Sequence, residues 1–237
     1  VILLFLALQA AAPEAAACVS LARADPVAAE RRAGVLPLSG TPEGLMCRGL
    51  ALAGQDRFAD AAAAFTDAAR AAETRRDLRA ADYWAQAGNA WLAAGTPAKA
   101  RAALDAALAA GTLADLQRGE AYLDRARALV ATGDLSAARG DLEQALAGAP
   151  DDPLAWLLSA TLARRMGDLP RAGNDIAQAL RRSPDDAAVQ LEAGNIAAAQ
   201  GDAARAQAAW REAQRLAPDA PAGRSATDAL AQFTEDK

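Results

Sequence analysis

The sequence predicts an all-α chain built from a helical hairpin that recurs about five times. Three observations carry this. Pro150, Pro184 and Pro218 lie 34 residues apart, and Gly133-Asp134, Gly167-Asp168 and Gly201-Asp202 keep the same step upstream of them. A fixed period of that length marks stacked supersecondary units. Inside a unit, apolar residues recur at helical spacing: Trp156, Ala160 and Ala163, then Ala172, Ile176 and Ala179 after the Gly-Asp turn, each set at i, i+4 and i+7. The composition is 53% hydrophobic but only 4% aromatic, and much of the apolar share is alanine, the best helix former. Small residues let two helices approach closely, and one large residue fills the gap beside them. A single hairpin of this kind cannot bury its face alone, so neighbours must stack.

From the start of the chain, Val1–Leu8 is a continuous apolar run, too short to span a bilayer, which needs about 20 residues. It fits the apolar region of a secretory signal, with Ala10-Ala11-Ala12 as a cleavage site and a mature start near Pro13. Residues 1–17 are therefore expected to be an export segment; the alternative is a buried N-terminal helix. Cys18 follows alanines, as in a lipoprotein, but Pro13 and Glu14 separate it from the apolar run and argue against lipid anchoring. Two cysteines in an exported chain suggest a Cys18–Cys47 bridge, the alternative being two buried thiols. Residues 18–40 read as a helical hairpin, with Asp25 capping the second helix and Pro26 opening it.

Residues 41–218 form the array, with units at about 42–75, 81–114, 119–152, 153–186 and 187–220. Thr41-Pro42 and Thr96-Pro97 open helices, Thr112 and Asp115 are spaced as a capping box, and Glu73–Arg79 carries about five extra residues. After a turn at Asp219–Gly223, residues 221–237 read as a short capping helix from Ser225, with Ala226, Ala229, Leu230 and Phe233 on one face, and a polar tail.

The columns resemble the tetratricopeptide repeat, whose pattern is W-x2-L-G-x2-Y, then A-x3-F, then P. Trp156, Ser159, Ala160, Ala163, Ala172, Ile176 and Pro184 stand in these slots, as do Tyr122, Ala126, Leu129, Ala138, Leu142 and Pro150. Trp84, Gly88, Trp91, Ala100 and Leu104 form a copy without the proline, and Leu45, Gly49, Leu52, Ala61, Phe65 and Ala68 another. The last copy has Gly194, Ala206, Trp210 and Pro218, but Gln190 sits where the large residue belongs. The resemblance implies a right-handed helical-repeat solenoid whose first helices line a groove for a protein or peptide. On that face stand Asn89, Leu123, Arg127, Leu157, Thr161, Arg164 and Asn195. Leucines would bury an apolar side of a ligand, amides pair with its backbone and arginines meet a carboxylate. Two other readings stay open: the leucines pack within the array, or Arg164-Arg165 is a solvated helix end. The chaperone-tail clamp of the family adds lysines on this face, and the two lysines, Lys99 and Lys237, lie elsewhere.

No catalytic constellation is evident. There is no histidine, the commonest general base and metal ligand, and two cysteines cannot make a four-ligand zinc site. The four tryptophans, Trp84, Trp91, Trp156 and Trp210, occupy core slots, and Asp151-Asp152 and Asp185-Asp186 sit at helix starts rather than as catalytic pairs. A net charge of −5 disfavours nucleic acid. The expected role is a non-catalytic scaffold or adaptor of the bacterial envelope, periplasmic, without cofactor or membrane span, and monomeric. A self-assembling structural element is the alternative.

Overall fold

The computed structural model describes the backbone of residues 2–235 and the side chains of residues 13–233. Among the described residues there are thirteen helices and no strand, so the chain is an all-α helical repeat. They divide into two compact units, Val1–Asp141 and Leu142–Lys237. In the first unit α1 (Ile2–Ala24) and α2 (Pro26–Ala33) precede α3 (Pro42–Ala53), α4 (Phe58–Thr74), α5 (Ala80–Ala93), α6 (Pro97–Ala109) and α7 (Asp115–Thr132). The unit boundary falls inside α8 (Leu135–Gly148). The second unit continues with α9 (Pro153–Arg165), α10 (Leu169–Arg182), α11 (Ala187–Ala199), α12 (Ala203–Leu216) and α13 (Pro221–Glu235). From α2 to α7, and again from α9 to α13, each helix packs on the next.

The Gly-Asp signature is a turn with a mechanism. Gly133, Gly167 and Gly201 take left-handed φ values of 88°, 80° and 81°, where a Cβ would strain the backbone. Asp134, Asp168 and Asp202 then accept the backbone N–H groups of Ala137, Arg171 and Arg205, capping the next helix. In the α3–α4 turn Asp56 takes the left-handed position instead, at φ 57°; its short polar side chain tolerates that region better than most.

Three of the hairpins close where a bare backbone meets a large side chain. A Cβ on Gly49 would stand 2.4 Å from the Phe65 ring, and one on Gly88 2.4 Å from Leu104. On Gly194 it would stand 2.3 Å from the Trp210 ring. In α9–α10 the slot holds Ala160, which shares a buried cluster with the smaller Ile176. Trp210 is buried and meets Phe233 of α13 edge-on, with ring centroids 5.5 Å apart.

The N-terminal hairpin is tied down covalently. Cys18 of α1 and Cys47 of α3 form a disulfide with Cα atoms 6.0 Å apart, both fully buried beside Ala29, Ala33 and Leu38. The bridge spans 29 residues, a closure that contributes roughly 3–4 kcal/mol in the chain-entropy model.

Several boundaries differ from the sequence reading. α1 runs through Pro13 rather than starting near Cys18; the side chains of the Val1–Leu8 run lie outside the described residues. Of the Glu73–Arg79 stretch, Glu73 and Thr74 close the 17-residue α4, and the rest connects it to α5. Thr112 does not cap α7: its hydroxyl donates to the Leu78 carbonyl, while the Gln117 side chain accepts from the Ala114 N–H. α13 begins at Pro221, not Ser225. Pro221 fits a first helical turn, and Gly223 is needed because a Cβ there would lie 1.9 Å from the Ala217 carbonyl oxygen. Pro-Ala-Gly is thus a tight helix entry, not a turn. Pro153, Ala187 and Pro221 open α9, α11 and α13 at the 34-residue period, so α13 is in phase as a further first helix.

Candidate functional site

The first helices of the hairpins carry the expected binding residues, and the structure places them in two separate clusters. In the first unit, the Asn89 amide of α5 donates to Asp124 of α7 at 2.9 Å, and Arg127 donates to the other Asp124 oxygen at 2.9 Å. Leu123 is buried, 7% exposed, and belongs to the packing rather than to an open face. Along the same helices stand Asp82, whose carboxyl is pushed up by burial, and the exposed Glu120. This cluster is acidic, with one amide, Asn89, and one guanidinium, Arg127, both on Asp124.

In the second unit the corresponding residues make a network. Arg164 of α9 forks onto Glu192 of α11, at 2.6 Å to one oxygen and 3.1 Å to the other. Asn195 donates to the same carboxylate at 3.2 Å and accepts the Trp210 indole N–H at 3.1 Å. The Glu192 side chain is only 8% exposed, so the fork and the extra amide offset its desolvation. Arg164 is therefore neither a solvated helix end nor a free receptor for a carboxylate; the exposed Arg165 beside it is the helix end. Leu157 is half-buried against the α9–α10 core, and the Thr161 hydroxyl donates to the Leu157 carbonyl at 2.9 Å. Leu154, 44% exposed, stands one turn before Leu157 on α9, and Leu191 holds the slot of Leu157 on α11, where it packs against the Trp210 cluster.

Sequence reasoning missed the acidic partners. Glu192 is 28 residues from Arg164, and no local pattern joins them. A second set was readable. Asp141 and Asp175 are one period apart, each just before the large residue of its second helix. Asp141 takes a two-pronged bond from Arg125 at 2.7 and 2.8 Å, and Asp175 accepts the buried Ser159 hydroxyl at 2.7 Å. Arg125 also reaches Asp105, and these carboxylates raise its pKa further.

The remaining candidates act structurally. Three tryptophan N–H groups have partners inside the protein, Trp84 on Glu73, Trp156 on the Pro150 carbonyl and Trp210 on Asn195, while Lys99 sits 4.3 Å over the Trp91 ring. Asp152 and Asp186 cap α9 and α11. Among the described residues no group of His, Cys, Asp and Glu is arranged to hold a metal, and no helix is long and apolar enough to cross a membrane.

Comparison with known proteins agrees with this architecture. One tetratricopeptide-repeat profile matches residues 48–115 and 157–221, and another matches residues 119–162. No curated protein matches the chain. Among solved structures, pilF of Pseudomonas aeruginosa aligns with a TM-score of 0.73 at 15% identity, covering 95% of this chain and 98% of that one. PilW, described as a widely conserved type IV pilus biogenesis factor, aligns at 0.74 and 20% identity over 89% and 97%. YrrB, described as a tetratricopeptide-repeat protein with an unusual peptide-binding site, aligns at 0.60 and 20% identity over 78% and 91%. At these identities the likeness is one of fold alone.

Proposed function

Because the chain belongs to the tetratricopeptide-repeat family, we propose that it is a non-catalytic interaction scaffold of the bacterial envelope that holds a peptide or helix against its first helices. The observation that carries this is the strip of Leu154 and Leu157 one turn apart on α9, partly exposed on the helix whose Arg164 is already satisfied, with Leu191 in the matching slot of α11. Such a strip offers apolar burial without an unmet charge, which suits an amphipathic segment. In the first unit Asn89 and Arg127, both on Asp124, offer polar contacts to a backbone or a side chain.

The envelope location rests on the Cys18–Cys47 bridge, which suits an oxidising compartment. The same bridge occupies the Cys18 sulfur, which supports a chain without a lipid at that residue. Self-assembly is disfavoured by α13. Its Asp228 is exposed in the slot that Gly194 and Ala160 fill one and two periods earlier, so a further second helix would meet a carboxylate there.

The test is crosslinking in the native cell, followed by identification of what is attached, with the wild type and Leu154→Glu/Leu157→Glu. Loss of the crosslinked partner with unchanged circular dichroism is expected; an unchanged partner would reject the strip. Arg164→Ala is a poor probe of binding because it strands Glu192. It should destabilise by about 2–3 kcal/mol, below the ~3–5 kcal/mol of a fully buried pair, since Arg164 keeps 30% exposure. A urea midpoint measures it.

A further inference from the structure

The hairpins α9–α10 and α11–α12 repeat the same slots 34 residues apart, and the second hairpin lacks three polar groups that the first one uses. Around α10, Arg171 donates to Glu143 of α8 at 2.9 Å and to Asp175 at 3.4 Å, and Ser159 donates to Asp175. One period on, Glu143 is replaced by Ala177, Ser159 by Ala193 and Asp175 by Ala209. Arg171 becomes Arg205, which turns back onto its own helix cap, Asp202, and leaves its side chain 73% exposed.

A cleft of about 410 Å³ lies at these positions. Ala193 and Ala197 of α11 line it, with Gly173 and Ala177 of α10 and Ala208 and Ala209 of α12. Arg205 and Gln190 also line it. Gln190 keeps one function of the residue it replaces: its amide donates to the Pro184 carbonyl at 2.8 Å, as the Trp156 indole does to Pro150 at 2.7 Å. The hydrogen bond is retained and the ring is not.

We propose that this cleft binds an apolar side chain of a partner protein that is followed directly by an acidic residue. The apolar group covers the alanines, and the carboxylate pairs with Arg205 as Glu143 pairs with Arg171. The cleft shares no residue with the leucine strip, so this inference stands or fails separately from the function proposed above.

The test uses the full chain with isotope-labelled alanine methyls, titrated with acetyl-Phe-Glu-amide and acetyl-Phe-Lys-amide. The Ala193, Ala197, Ala208 and Ala209 signals should shift with the glutamate probe at about 1 mM, and about tenfold more weakly with the lysine probe. Ala177→Glu/Ala209→Asp copies the chemistry around α10 and should abolish the shifts. Arg205→Glu, which leaves the floor intact, should invert the preference between probes. No shift with the glutamate probe, equal shifts with both probes, or a response unaltered in the two variants would overturn the proposal.

Discussion

Two adjacent hairpins of the second unit solve the same packing problem with different chemistry. In α9–α10 a small pair, Ala160 and Ile176, is accompanied by a polar lock, with Ser159 and Arg171 both on Asp175. In α11–α12 the lock positions are alanines, and closure rests on Trp210 seated on the bare backbone of Gly194. The repeat thus fixes a small residue facing a large one; the neighbouring positions are free to be polar or apolar. Buried polar groups are tolerated in the first hairpin because each finds a partner, and their absence leaves open space in the second.

The largest test of this contrast is Trp210→Ala. It removes the ring that fills the hairpin and supports Phe233, and should destabilise by about 3–5 kcal/mol in a urea titration, with weakened protection of α13 amides from hydrogen exchange. Next is Gly194→Ala, which forces the added methyl into the indole and should destabilise by about 1–3 kcal/mol. The reverse change, Ala160→Gly in the other hairpin, should cost only about 1 kcal/mol through helix propensity. If the two changes cost the same, the close approach at Gly194 is not limiting. Ser159→Ala, which leaves one acceptor position of Asp175 without its hydroxyl, should cost about 1–2 kcal/mol, whereas Ser159→Ala/Asp175→Ala imitates α11–α12 and should be closer to neutral.

The smallest expected effect sharpens the common frame. Asp202, which opens α12, is held below the ordinary aspartate range by the Arg205 N–H and guanidinium. A carboxyl whose folded pKa is depressed stabilises the fold above its unfolded pKa, and that contribution fades as pH falls through the folded value. Carboxyl NMR should therefore show Asp202 titrating below a free aspartate, and Arg205→Ala should bring it back toward that value.

The elements legible in the sequence were those with local causes. Gly-Asp turns, Thr41 and Asp25 caps and the 16-residue step from Gly49 to Phe65 all lie within one hairpin, so spacing alone finds them. Cys18–Cys47 was readable because two cysteines allow one pairing. The start of α13 was misread because Pro221 and Gly223 favour turns as strongly as helix entries, and close packing against Ala217 decides between them. The candidate site was legible as a face but not as a state. Asn89, Arg127, Arg164 and Asn195 stand on first helices as expected, yet each is engaged by an acidic residue on its own or a neighbouring helix. Leu123, expected on the same face, is buried instead.

The phase of α13 carries a consequence for how such a chain could grow. Ala187–Ala220 is a complete cassette, and Pro221 resumes at the same point of the cycle. Duplicating the cassette ahead of Pro221 would present α13 with the same surface it covers now. Molecular length could then change by whole increments through tandem gene duplication, while α13, with its exposed Asp228, is carried along unaltered.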